Sequence, residues 1–86
     1  MKVAVYDTYV TKNKGGIMHF DIVVPDGLSY EKVLEFGKAY LKGVGQEAQP
    51  LSAKECEFCH TEQASSAVNE SIRAQGFHIV EMDGCR

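Results

Sequence analysis

The stretch Glu55-Cys56-Glu57-Phe58-Cys59-His60-Thr61-Glu62 holds two of the chain's three cysteines and one of its three histidines. Its Cys56-x-x-Cys59-His60 spacing admits four readings. Covalent haem attachment would use both thiols on vinyl groups and His60 on iron. Haem is attached after export, however, and the opening Met1-Lys2-Val3-Ala4-Val5-Tyr6-Asp7 meets an aspartate before a signal-peptide core is complete. Haem is therefore not expected. Zinc fits the donor types better. Two cysteines three apart chelate one ion where the chain bends, so Cys56, Cys59 and His60 are the candidate metal ligands. His19, His78 or Cys85 would complete a set of four, and Glu55 and Glu57 would suit a dication. Against zinc, there is no second Cys-x-x-Cys and no glycine for a knuckle. In a regular strand Cys56 and Cys59 also point to opposite faces. A dithiol redox role needs lowered thiol pKa values, and the flanking glutamates work the other way. The plainest reading is structural: Cys56 and Phe58 in a core, Cys59 half-buried, nothing bound.

A second constellation lies near the N-terminus. Tyr6, Thr8, His19 and Asp21 fall on two segments that read as paired strands, and together they form a candidate binding face. His19 with Asp21 has the residue types of a general base and its partner, although neighbours two apart on one strand often coincide by chance. Asp7 reads as a hydrogen-bonded structural carboxylate. No Gly-rich phosphate loop or Ser-His-Asp arrangement can be picked out, so the chain is not expected to be an enzyme.

The elements that must position these residues follow from pattern. Lys2–Val10 is rich in Val, Tyr and Thr and reads as a strand, and Ile17–Val24 reads as another. Thr11-Lys12-Asn13-Lys14-Gly15-Gly16 joins them as a turn. Pairing Val10 with Ile17 puts Val3, Val5, Asp7 and Tyr9 on one face with Met18, Phe20, Ile22 and Val24. That face reads as the core, because a slip of one residue would bury His19 and Asp21. The other face still carries Tyr6, Val10, Ile17 and Val23, too apolar for open water, so a homodimer through the hairpin is expected. The alternative cover is the Gln46–Ala53 linker or the C-terminal tail.

Ser29 can cap a helix stapled by Leu28 and Val33, with Tyr30, Val33, Leu34, Gly37, Leu41 and Val44 along one stripe. It should end near Gly43 or Gly45. Lys54–Glu62 reads as a short strand. Ser65 or Ser66 opens a second helix with Ala64, Val68 and Ile72 on one face, closed by Gly76, and Phe77–Met82 is a last strand. The order β-β-α-β-α-β predicts one α+β domain over residues 1–86, with the antiparallel hairpin in a mixed sheet and both helices on one face.

Composition agrees with one small globular unit. The chain has 86 residues, 44% of them hydrophobic, enough for a core without disulfides. No run approaches the ~18 apolar residues of a membrane span. Net charge is −3, and the second half carries Lys54, Arg73 and Arg86 against seven carboxylates. No basic patch interleaved with aromatics exists, so neither nucleic acid nor membrane is an expected partner. The cytoplasm is the expected compartment, where thiols stay reduced.

Taken as a set, Val3-Ala4-Val5-Tyr6-Asp7-Thr8-Tyr9, Met18-His19-Phe20-Asp21, Gly45-Gln46-Glu47, Glu55-Cys56-Glu57-Phe58-Cys59-His60 and Glu81-Met82-Asp83-Gly84-Cys85 resemble a small family of bacterial domains of unknown function. The resemblance spans nearly the whole chain. It implies a compact α+β domain known from genome sequencing and structural genomics, and it brings no activity, ligand or catalytic residue. The function expected from the residues is thus a small binding or interaction domain with an unknown ligand. A zinc or dithiol protein centred on Cys56, Cys59 and His60 is the alternative.

Overall fold

In a computed structural model, which describes residues 1–85, the chain opens with a long hairpin. Strands β1 (Lys2–Thr11) and β2 (Ile17–Pro25) each run one residue past their predicted ends. The loop between them closes with the Lys12 amide donating to Gly16 O at 2.9 Å, and Gly15 and Gly16 take φ of 92° and 85°. Helix α1 (Tyr30–Gly43) starts where Ser29 Oγ accepts from the Lys32 amide. Strand β3 (Cys56–Gln63) follows the linker. Helix α2 (Ser66–Gln75) is capped by Ser65 and ended by Gly76 at φ 95°, and strand β4 (His78–Asp83) closes the order.

The four strands form one sheet in the order β3-β1-β2-β4. Every pairing is antiparallel, where a mixed sheet was expected. Helix α1 carries the chain past β1 before β3 joins, and α2 carries it across the whole sheet before β4 joins. Each new strand therefore meets a neighbour that runs the opposite way.

The hairpin register also differs from expectation. Val10 pairs with Met18 and Thr11 with Ile17, one residue away from a Val10–Ile17 pairing. Ala4, Tyr6, Thr8 and Val10 accordingly share a face with Val24, Ile22, Phe20 and Met18, and Val3, Val5, Asp7 and Tyr9 share the other with Val23, Asp21 and His19. The expected register presumed a single core face. The sheet has two, because α1 packs on one side and α2 on the other, not both on one face.

Val33 and Leu41 of α1, with Leu51 from the linker, cover Ala4, Val10, Met18, Phe20, Ile22 and Val24. Gly37 lets the helix lie close: a Cβ there would overlap Leu51 Cδ2 and sit 2.8 Å from Ile22 Cδ1. On the opposite side Ile72, with Ala64 and Val68, covers Val3, Val5 and Val23. The apolar residues behind the homodimer expectation are thus mostly covered within the chain. Val10 is 0% and Val23 3% accessible, while Ile17 remains 60% exposed.

Helix α2 is short, and it shields only the Val3–Val5 end of its face. The half that carries Asp7, Tyr9, His19, Asp21 and Ile17 lies beyond it. No helix is long and apolar enough to cross a membrane among the described residues.

Candidate functional site

The slipped register brings Asp7, His19 and Asp21 together on this uncovered half-sheet. Asp7 and Asp21 pair directly across β1 and β2, and His19 lies one side-chain step further along the same face. His19 Nε2 and Asp7 Oδ1 are 2.6 Å apart, with side chains 24% and 38% exposed. Among the described residues, these are the three cysteine, histidine or carboxylate side chains whose ligand atoms all lie within 4.8 Å of one another. Tyr9 stacks on the His19 ring at a centroid distance of 4.1 Å and an interplanar angle of 11°, which holds the imidazole in place. The backbone of β2 is tied to the tail where Cys85 Sγ donates to His19 O at 3.3 Å.

Like charges directly opposite on neighbouring strands repel. The Asp21 carboxyl is accordingly pushed above the usual carboxylate range, first by burial and then by the hydrogen bond and charge of Asp7. The charges of His19 and His60 pull it partway back. Such a group stabilises the fold in its neutral form. One nitrogen and two carboxylate oxygens converging at a half-buried point also match the donor preferences of a divalent first-row metal ion.

The candidate binding face of Tyr6, Thr8, His19 and Asp21 is split between the two sides of the sheet. Tyr6 and Thr8 belong to the α1 side, where Thr8 is fully buried. The Tyr6 ring sits edge-on to Phe58 at 5.6 Å and tilted against Tyr30 at 5.8 Å. Asp7 takes their place beside His19 and Asp21. From the sequence Asp7 reads as a structural carboxylate; the pairing register places it in the cluster.

Cys56, Cys59 and His60 do not converge as a set of three either: Cys59 Sγ lies 3.2 Å from His60 Nδ1, but Cys56 is on the other side of the sheet. Cys56 is 0% accessible and faces α1, its thiol pushed up by burial while the neighbouring Thr8 and Tyr30 hydroxyls pull the other way. The Tyr30 hydroxyl also donates to the Cys56 carbonyl. Cys59 is exposed, and all three cysteines are free. His60 pairs with Val5 and therefore lies on the side opposite Cys56, its Nε2 2.7 Å from Glu62 Oε1. His78 faces α2, with Nδ1 2.8 Å from Ser71 Oγ, at the rim of a groove of about 480 Å³ between α1, α2 and β4. In that groove the Tyr40 hydroxyl donates to Glu81 at 2.5 Å, so its polar groups pair with one another.

A four-stranded antiparallel sheet with one helix on each face and a half-covered acid–histidine patch defines a small α+β domain with no evident catalytic role. The family described as "Domain of unknown function (DUF2024)" matches residues 1–82, and the chain belongs to it. The NMR structure of protein NE1680 from Nitrosomonas europaea, a structural genomics target, is similar at 41% identity over 100% of both chains, with a TM-score of 0.87. No curated protein matches.

Proposed function

We propose that the chain is a binding domain that holds a divalent transition-metal ion, zinc among the candidates, at Asp7, His19 and Asp21. The observation that carries this reading is the convergence of the three ligand atoms within 4.8 Å on a surface the helices leave open. Two carboxylates set opposite each other repel, and a dication beside His19 relieves that repulsion more fully than a shared proton does. On this reading the donors lie on the hairpin and not on β3, where cysteine spacing suggested them. Its oxygen-rich character favours a site with positions open to a further ligand over a closed structural site.

Calorimetric titration of the metal-free chain with zinc and with manganese tests this. The expected result is one ion per chain and a raised melting temperature, since a ligand that binds only the folded state stabilises it. Asp7→Asn and His19→Ala should abolish both effects, and Cys59→Ser should keep them. Binding that survives both hairpin variants would overturn the assignment.

Self-association through the same half-sheet is the second reading. It is favoured by Tyr9 and Ile17, which are 51% and 60% exposed beside the cluster.

A further inference from the structure

Cys59 and His60 are consecutive, and in a regular strand their side chains would point to opposite faces. They do not, because β3 is bulged against β1. His60 pairs with Val5 and Phe58 with Tyr6, leaving Cys59 as the extra residue. Freed from the ladder, Cys59 Sγ lies 3.2 Å from His60 Nδ1. On the far side of the ring, Nε2 lies 2.7 Å from Glu62 Oε1. Thiol, imidazole and carboxylate thus stand in line along four residues of an edge strand. The ordering is that of a nucleophile, its base and the group that orients the base.

The tautomer follows from the partners. An ionised Glu62 can only accept, so Nε2 carries the hydrogen and Nδ1 turns a lone pair toward the thiol. The charges that face His60 come from two elements: Glu62 on β3, and Asp21 on β2, whose carboxyl feels the His60 charge. Both are acidic, and Glu62, 2.7 Å from Nε2, holds the ring so that Nδ1 faces the thiol. Access is open, since Cys59 is exposed and His60 and Glu62 are 50% and 52% exposed.

We propose that Cys59, with His60 as its base and Glu62 as the positioning residue, is a reactive thiol site that takes low-molecular-weight disulfides. The Sγ proton passes to His60 Nδ1, and the thiolate attacks one sulfur of the disulfide. The S–S bond of the reagent breaks as the Cys59 mixed disulfide forms. The departing thiolate takes the proton from His60 and leaves as a thiol. Cys59 is oxidised and the departing sulfur reduced, so no further oxidant enters. Cys56 is buried under α1 and does not resolve the adduct, so the mixed disulfide is the end point. This makes the site a reversible modification point and not a dithiol catalyst.

The test is the rate at which glutathione disulfide modifies Cys59, followed by intact mass and peptide mapping from about pH 6 to pH 9. Wild type should react near pH 6 several-fold faster than His60→Ala, because the imidazole 3.2 Å from the thiol takes its proton as the sulfur attacks. In His60→Ala the rate should climb with pH toward an ordinary thiol pKa of about 8.5. Glu62→Gln, whose amide oxygen still accepts from Nε2–H, should keep most of the gain that Glu62→Ala loses. Unfolding wild type in urea should slow Cys59 at low pH although every thiol becomes accessible. Identical pH profiles for wild type and His60→Ala, or an adduct on Cys85 in place of Cys59, would overturn the proposal.

Discussion

Asp7 and Asp21 stand directly opposite each other on β1 and β2, and His19 Nε2 lies 2.6 Å from Asp7 Oδ1. Asp21 titrates above its usual range because burial and Asp7 disfavour its charge. Its folded pKa is raised over the unfolded value, so its stabilising contribution is present below the unfolded pKa and is lost as pH rises through the folded one. Asp21→Asn should therefore raise the melting temperature at neutral pH, by an amount matching the ~0.2–1 kcal/mol of a cross-strand like-charge pair. It should also flatten the pH dependence in the mildly acidic range. Thermal melts of metal-free protein across that range check it, and a lower melting temperature at neutral pH would show that Asp21 contributes a favourable contact as an anion.

Gly37 is where α1 comes closest to the sheet. Replacing a mid-helix glycine by alanine ordinarily gains up to ~1 kcal/mol in helix propensity. Here the added methyl meets Leu51 and Ile22, which are 6% and 0% accessible and have little room to move. Overpacking of that kind costs about 1–3 kcal/mol, so Gly37→Ala should destabilise. The double variant Gly37→Ala/Leu51→Ala should recover part of the helix–sheet strain, which a double-mutant cycle in urea measures.

Cys56 is a core residue whose thiol sits against Thr8 and Tyr30. Cys56→Ser should cost ~1–3 kcal/mol, because the shorter side chain no longer fills the fully buried site or meets the Thr8 and Tyr30 hydroxyls as the thiol does. The loss should be the same with and without a chelator. A chelator that destabilises the wild type but leaves Cys56→Ser unchanged would show instead that Cys56 belongs to a metal centre.

The homodimer reading now rests on Ile17 and Tyr9. Val10, fully buried under α1, would report only on folding if replaced. Wild type should show concentration-dependent dimerisation in sedimentation equilibrium, and Ile17→Lys should shift it toward monomer by charging the contact. A wild type that stays monomeric across the whole range removes this reading.

Much of the fold is legible in local signals. Ser29, Ser65 and Gly76 cap their helices as their types require, and the glycine pair at 15 and 16 turns the hairpin. The order of elements follows from them. What local signals do not carry is which face each strand turns to which helix. Both faces of β1 are apolar near its start, Val3 and Val5 on one side and Ala4 on the other, so alternation alone cannot choose a register. The choice is made by two separate covers, and the second covers only one end. Asp7, His19 and Asp21 meet because the register sets them on one face, and they stay accessible because α2 stops short of them. The Cys59–His60 contact was hidden for a similar reason. Adjacent strand residues do not face the same way unless a bulge intervenes, and bulges leave no composition signal.

That irregularity has a further consequence at the margins of the sheet. Both outer strands are bulged: β3 at Cys59, and β4 where His19 pairs with Asp83 but Phe20 with Glu81. Strand β3 is exposed along all but its first residue, the kind of open edge that invites a second chain to dock and extend the ladder. An incoming strand would find its run of amides and carbonyls broken partway, on either flank of the molecule. The bulges thus act as brakes on sheet-to-sheet growth at both edges.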